Sequence, residues 1–108
     1  MDANPEYREI MELANMLAGA GIPFDLVRLY DGWRLRYYSI DAEMCSVIEH
    51  QYSYGGRSDM LEIRGLLTPE ERKTDSVVGF MTAQEVFARI SKHWRMVDNE
   101  QKNIAKMP

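Results

Sequence analysis

The residues nearest to a working chemical pair are a thiol and a base, Cys45 and His50, set in a segment that reads as a strand. Their odd spacing sends them to opposite faces of a sheet, so Cys45 reads as a small buried hydrophobe with no activating partner. Two histidines and one cysteine cannot supply a four-ligand zinc site without carboxylates. His50 beside Glu49, and His93, could join Asp59 or Asp75 around a metal only if the fold gathered them, since neither His-Glu-x-x-His nor paired cysteines occur. We expect no metal, no cofactor and no catalytic residues. Glu70 with Glu71, and Glu49 with Glu62, could be paired carboxylates, but acid–base work needs an enclosed cleft that shifts one pKa. These charges are expected to solvate a loop and an outer strand face. Tyr54-Gly55-Gly56-Arg57-Ser58 could wrap an anion through backbone N–H groups and a guanidinium, or serve simply as a flexible hairpin connection.

What remains is a surface. Between Phe24 and Tyr54 lie Tyr30, Trp33, Tyr37, Tyr38 and Tyr52, interleaved with Arg28, Arg34 and Arg36. Arginine and tyrosine alternating on a sheet can stack bases and grip phosphates, can anchor a protein contact, or can merely pack. The candidate binding residues are Arg34, Arg36, Tyr38, Tyr52, Tyr54 and Arg57. A net charge of −4 and a pI near 5.1 oppose a polyanion, which favours a protein partner and leaves a nucleotide or nucleic acid as the alternative. The chain reads as a binder and not as an enzyme.

The elements that must position this surface follow from pattern. Asn4-Pro5 signals a helix start, and Tyr7, Ile10, Met11, Ala14, Leu17 and Ala18 recur at helical spacing until Gly19 and Gly21, which predicts a helix over Pro5–Ala18. Asp31-Gly32 between two apolar runs predicts a two-residue hairpin turn, pairing Tyr30 with Trp33, Arg28 with Leu35, Leu26 with Tyr37 and Phe24 with Ser39. Asp25, Val27, Leu29, Arg34, Arg36 and Tyr38 then share the opposite face. Cys45–His50 and Met60–Arg64 predict a second hairpin with a longer loop, while Asp75–Phe80 is ambiguous between loop and short strand. Thr68-Pro69-Glu70-Glu71 and Thr82-Ala83-Gln84-Glu85 are capping boxes, the first opening about one turn and the second a helix to about Arg95, with Val86, Phe87, Ile90 and Trp94 as its stripe. His93, Arg89, Lys92 and Arg95 would complement the dipole at that helix's end.

The expected fold is α+β: an antiparallel sheet of three or four strands with an N-terminal and a C-terminal helix packed on one face. Its core should hold Ile10, Leu17, Leu26, Leu35, Ile48, Ile63, Val86, Phe87 and Ile90. At 108 residues and 12.6 kDa the chain fits one domain over 1–96 with a frayed tail over 97–108. No apolar run approaches the roughly 18 residues of a membrane span, Asp2, Asn4 and Glu6 do not suit a signal peptide, and Cys45 cannot form an internal disulfide. A cytoplasmic protein without a membrane role is therefore expected. The apolar part of the second face, Val27, Leu29 and Tyr38, predicts self-association as a homodimer.

Tyr30-Asp31-Gly32-Trp33, Val47-Ile48-Glu49-His50 with Ser53-Tyr54-Gly55, Leu61-Glu62-Ile63 with Gly65-Leu66-Leu67-Thr68, and Asp75-Ser76-Val77-Val78-Gly79 before Thr82-Ala83 and Glu85-Val86-Phe87 resemble small uncharacterised proteins encoded in bacterial prophages. The likeness runs from about Tyr30 to Trp94 and has no catalytic residues to carry over. It implies a context, a phage accessory protein made in a bacterial host cell, where such proteins commonly bind a host defence enzyme or its nucleotide signal.

Overall fold

The structure, a computed structural model, describes residues 7–105, with side chains described through residue 101. Its elements run α1 (Arg8–Gly19), β1 (Asp25–Leu29), β2 (Gly32–Tyr38), β3 (Glu43–Glu49), β4 (Leu61–Arg64), α2 (Pro69–Thr74), β5 (Val77–Met81) and α3 (Ala83–Ala105), with a single 3₁₀ turn at Gly56–Ser58. The fold is α+β, and all neighbouring strands pair antiparallel in the sequential order β1-β2-β3-β4-β5. The sheet has five strands where three or four were expected, because the ambiguous segment supplies β5.

Strand alternation sorts the side chains. Leu35 and Tyr37 of β2, Cys45 and Val47 of β3, and Leu61 and Ile63 of β4 are buried with Ile10, Leu13, Ala14 and Leu17 of α1 and Val86 and Ile90 of α3. Both long helices therefore share one core with one face of the sheet. Leu26 and Phe87 are only partly buried against it, and Ile48 is not part of it. The alternation of β3 runs through Val47, which turns the adjacent Ile48 to the other face.

The first hairpin keeps its predicted faces but moves its turn. Leu29 pairs with Gly32, Val27 with Arg34 and Asp25 with Arg36, so the loop is Tyr30-Asp31, with Tyr30 at φ 54°. Gly32 has a different task from the one its sequence context suggests, since a Cβ there would lie 1.9 Å from the carbonyl oxygen of Glu49. The glycine lets two strands approach. Because the register slips by an even number of residues, the slip itself moves no side chain to the other face; Tyr38 changes face only through the separate irregularity after Tyr37.

The helix ends also differ from expectation. Tyr7 at φ 48° cannot be helical, so α1 starts at Arg8, while Asn4 and Pro5 lie outside the described residues. The capping box of α3 is formed, with the Thr82 Oγ accepting from the Glu85 N–H at 3.1 Å and Glu85 Oε1 accepting from the Thr82 N–H at 2.8 Å. That of α2 is formed likewise by Thr68 and Glu71. Beyond Arg95 the chain stays helical to Ala105, so the basic cluster lies within α3 and not at its end. Arg89 instead clamps Glu71 of α2 through two 2.7 Å bonds, and His93 Nδ1 meets the Tyr37 hydroxyl at 2.7 Å.

Candidate functional site

The face of the sheet away from the helices carries Asp25 and Val27 from β1, Arg34 and Arg36 from β2, Ser46 and Ile48 from β3, and Glu62 and Arg64 from β4, as the register aligns them. Arg34, Glu43, Ser46, Ile48, Glu62 and Arg64 line a groove of about 160 Å³. Arg36 Nε stands 3.4 Å from the Glu43 carboxylate, and the Nε atoms of Arg34 and Arg36 are buried without a hydrogen-bond partner. Charges of both signs alternate across this face, so it does not present the dense positive field that a polyanion needs.

The β3–β4 loop closes one end of this face. His50 is buried, and its Nδ1 accepts the Tyr52 N–H at 3.0 Å, while its carbonyl accepts the Ser53 N–H at 3.2 Å and the Ser53 hydroxyl at 2.9 Å. Burial lowers the pKa of this imidazole and the Arg34 charge adds to the effect, against opposing pulls from Glu62 and Asp31. Such anchoring presents the tyrosines outward. Tyr30 meets the His50 ring at 4.9 Å and the Tyr52 ring at 5.0 Å, edge to face in both cases. Tyr30 and Tyr52 are each 66% exposed, and Tyr54 and Phe80 each 59%.

Phe80 owes its exposure to a bulge. Leu61 pairs with Met81 but Ile63 with Val78, so β5 carries an extra residue opposite Glu62. The left-handed backbone that a bulge of this kind gives to glycine falls here on Phe80, at φ 56°. Gly79 is committed elsewhere: a Cβ on it would sit 2.3 Å from the Tyr54 Cβ. The loop thus backs onto Gly79, Phe80 N–H donates to the Tyr54 carbonyl at 3.2 Å, and Tyr54 N–H donates to Glu62 Oε1 at 2.8 Å. Holding a bulky residue in that conformation costs on the order of 1–3 kcal/mol, and the ring it supports faces water. Tyr54, Arg57 and Phe80, with Gln51, Ser53 and Ser58, line a pocket of about 280 Å³.

The other polar concentration is buried and holds the helices. Glu49, expected on an outer face, is fully buried on the helix side, where its Oε1 accepts the Ile10 N–H at 3.0 Å. Burial, with the Asp59 carboxyl beside it, pushes its pKa up to about 9. Oε2 finds no donor, so the neutral acid carries its own proton toward Asp59. Asp59 is held below the ordinary carboxyl value despite its partial burial, by that bond and by the N–H groups of Glu9 and Arg8. Glu9 Oε2 in turn accepts the Ala83 N–H at 2.5 Å, and the Tyr7 hydroxyl donates to Asp31, whose other oxygen accepts the Gln51 N–H at 2.9 Å. Glu49, Asp59 and Glu9 satisfy first-turn N–H groups of α1 and α3, a capping task that leaves the buried Glu49 no route to a substrate. Cys45, also buried, has its thiol pKa pushed up to about 12 by desolvation. Among the described residues no group of three or more His, Cys, Asp or Glu side chains could hold a metal ion, and no helix is long and apolar enough to cross a membrane.

The structure divides the candidate residues of the sequence. Arg34 and Arg36 share the uncovered face, and Tyr52, Tyr54 and the exposed Arg57 lie along the loop at its end. Tyr38 does not join them. The register shift after Tyr37 turns it to the helix side, where its ring lies 4.7 Å from that of Tyr37 and 6.1 Å from that of Trp94. The apolar patch of Val27, Leu29 and Tyr38 is therefore not a single surface. Tyr30, His50 and Phe80 join the site without having been singled out for it. Gly79 beside an apolar residue was the available sign of a bulge near Phe80. No protein-family model, curated protein or solved structure matches the chain.

Proposed function

We propose that this protein acts without catalysis, by binding another protein through the aromatic end of its uncovered sheet face. The exposed Phe80 carries this reading: a large apolar ring held in water by strained backbone is hard to explain by stability and is what a buried anchor in an interface requires. Tyr30, Tyr52 and Tyr54 extend the contact, with Arg34, Arg36 and Arg57 around them. The mixed charge of the face suits a protein better than a polyanion. The resemblance to prophage-encoded proteins suggests a bacterial host protein as partner, a defence protein among the candidates. Capture from host lysate by the intact chain and by Tyr52→Ala and Phe80→Ala variants tests this. Loss of the same captured protein with both folded variants supports it, and unchanged capture rejects it.

The pocket between Tyr54, Arg57 and Phe80 favours a second reading, in which the rings hold a base and the guanidinium a phosphate. Nucleotide binding that weakens steeply with salt and is lost with Arg57→Ala would replace the first reading by this one.

A further inference from the structure

The sheet has two edges, and only one of them is guarded. At β5 the bulge breaks the ladder, the Phe80 N–H is taken by the Tyr54 carbonyl, and α2 packs alongside. At β1 the register runs without a break from Asp25 to Leu29. The two-residue loop makes Leu29 and Gly32 a hydrogen-bonded pair, so alternation directs the N–H and C=O groups of Asp25, Val27 and Leu29 toward β2. Those of Leu26 and Arg28 point outward. Among the described residues, no turn, loop or side chain bonds to the backbone of either one. Proline, lysine and bulges, the usual defences of an edge, are missing from β1. The one cation, Arg28, lays its guanidinium over the Trp33 ring at 4.6 Å and does not stand out along the edge.

We propose that a second copy of this chain pairs here, β1 against β1 in antiparallel fashion, with Val27 on the twofold axis. A continuous sheet requires facing residues to share a side, which only an even slip allows. Centring on Val27 meets that condition and places Leu26 opposite Arg28 of the other copy, the residues whose backbone groups no described residue bonds. Each such pair exchanges both of its N–H···O=C bonds. The side chains fit the same register. Leu26 lies along the arginine stem, Val27 meets Val27, and the half-buried Phe24, Leu26 and Trp33 at this edge gain cover from their counterparts. In this isologous register Tyr30 comes beside Phe24 of the other copy, while Tyr52, Tyr54 and Phe80 take no part, so the pairing stands or falls separately from a partner held by those three rings.

Sedimentation of the full chain, together with amide hydrogen exchange, tests the pairing. The expected result is a dimer at tens of micromolar, in which the Leu26 and Arg28 amides are protected and lose that protection on dilution. Val27→Glu sets two carboxylates against each other on the axis and should weaken association by roughly 100-fold or more. Val77→Glu on the opposite edge should leave association unchanged, and melting curves check that both variants fold. A wild-type monomer with fast exchange at Leu26 and Arg28 would overturn the proposal. So would a dimer that survives Val27→Glu, or one that leaves those amides unprotected.

Discussion

On the helix-covered face of the sheet, polar side chains are spent on holding structure together. Glu49 and Asp59 close the start of α1, Glu9 reaches the start of α3, and Tyr7 is tied to Asp31. On the uncovered face the same strands leave the Nε atoms of Arg34 and Arg36 without partners and end in rings that face water. Neighbouring residues of one strand thus have opposite tasks. Covered positions should govern stability, and uncovered ones should govern binding with little effect on stability.

The largest expected effect comes from Ile63 and Ile48, on adjacent strands and opposite faces. Ile63→Ala opens a cavity in the core and should cost about 2–5 kcal/mol, whereas Ile48→Ala, at a partly buried position beside Arg34, should cost less than about 1.5 kcal/mol. Urea denaturation of both variants measures the contrast. Equal costs would mean that the second face is also a core.

Glu49 gives the covered face a pH signature. Its folded pKa of about 9 lies above the ordinary carboxyl value of 4.5, so the native state keeps a proton that the unfolded chain releases between these limits. This contribution is fully present below pH 4.5 and is lost as pH rises toward 9, with a slope of at most about 1.4 kcal/mol per pH unit. Glu49→Gln keeps a donor for Asp59 and an acceptor for the Ile10 N–H but has nothing to titrate. It should flatten the dependence and exceed the native chain in stability at pH 8. A parallel pair of stability curves would show that Glu49 is ionised in the fold.

These contrasts also mark what the sequence could reveal. Helix starts were legible where a local signal is complete, as in Thr82 with Glu85, whose bonds involve only neighbours in the chain. The start of α1 was not, because its caps come from Glu49 and Asp59, far along the sequence. Asp31-Gly32 gave the hairpin and its faces but not the turn, since Gly32 answers to a close strand and not to a loop conformation. Alternation placed Arg34 and Arg36 together and failed at Tyr38, where irregular register resets the count, and it had no footing at Phe80, in a segment ambiguous between loop and strand and broken by a bulge. The uncovered face was readable as far as the period held, and its aromatic end depended on a bulge that has no period.

Phe80 separates stability from binding most sharply. Glycine accepts φ 56° without strain, so Phe80→Gly should raise stability by up to about 1 kcal/mol, once the greater freedom of glycine in the unfolded chain is counted. Capture of the partner should fall at the same time. Calorimetry beside a binding assay reads both quantities, and a variant that loses stability without losing capture would return Phe80 to a structural role.

The smallest change in stability is expected from the arginines. Truncating Arg34 and Arg36 together to alanine removes stems placed opposite Val27 and Ser46 in the register and one loose contact to Glu43, and it also relieves two buried Nε atoms that lack a hydrogen bond. Lost packing and recovered desolvation oppose one another, so the net change should stay within about 1 kcal/mol. Binding has no such compensation. A guanidinium whose Nε lacks a hydrogen bond, and which in Arg36 is held by Glu43 only at 3.4 Å, can turn to a carboxylate or carbonyl of the partner, and a charge-assisted bond there should be worth about 1.5–3 kcal/mol, or tenfold or more in affinity. A double variant that melts like the native chain and binds tenfold or more weaker would place the contact on the arginine face as well as the aromatic end. Undiminished binding would confine it to Tyr30, Tyr52, Tyr54 and Phe80, where truncation of the rings would then carry the whole effect.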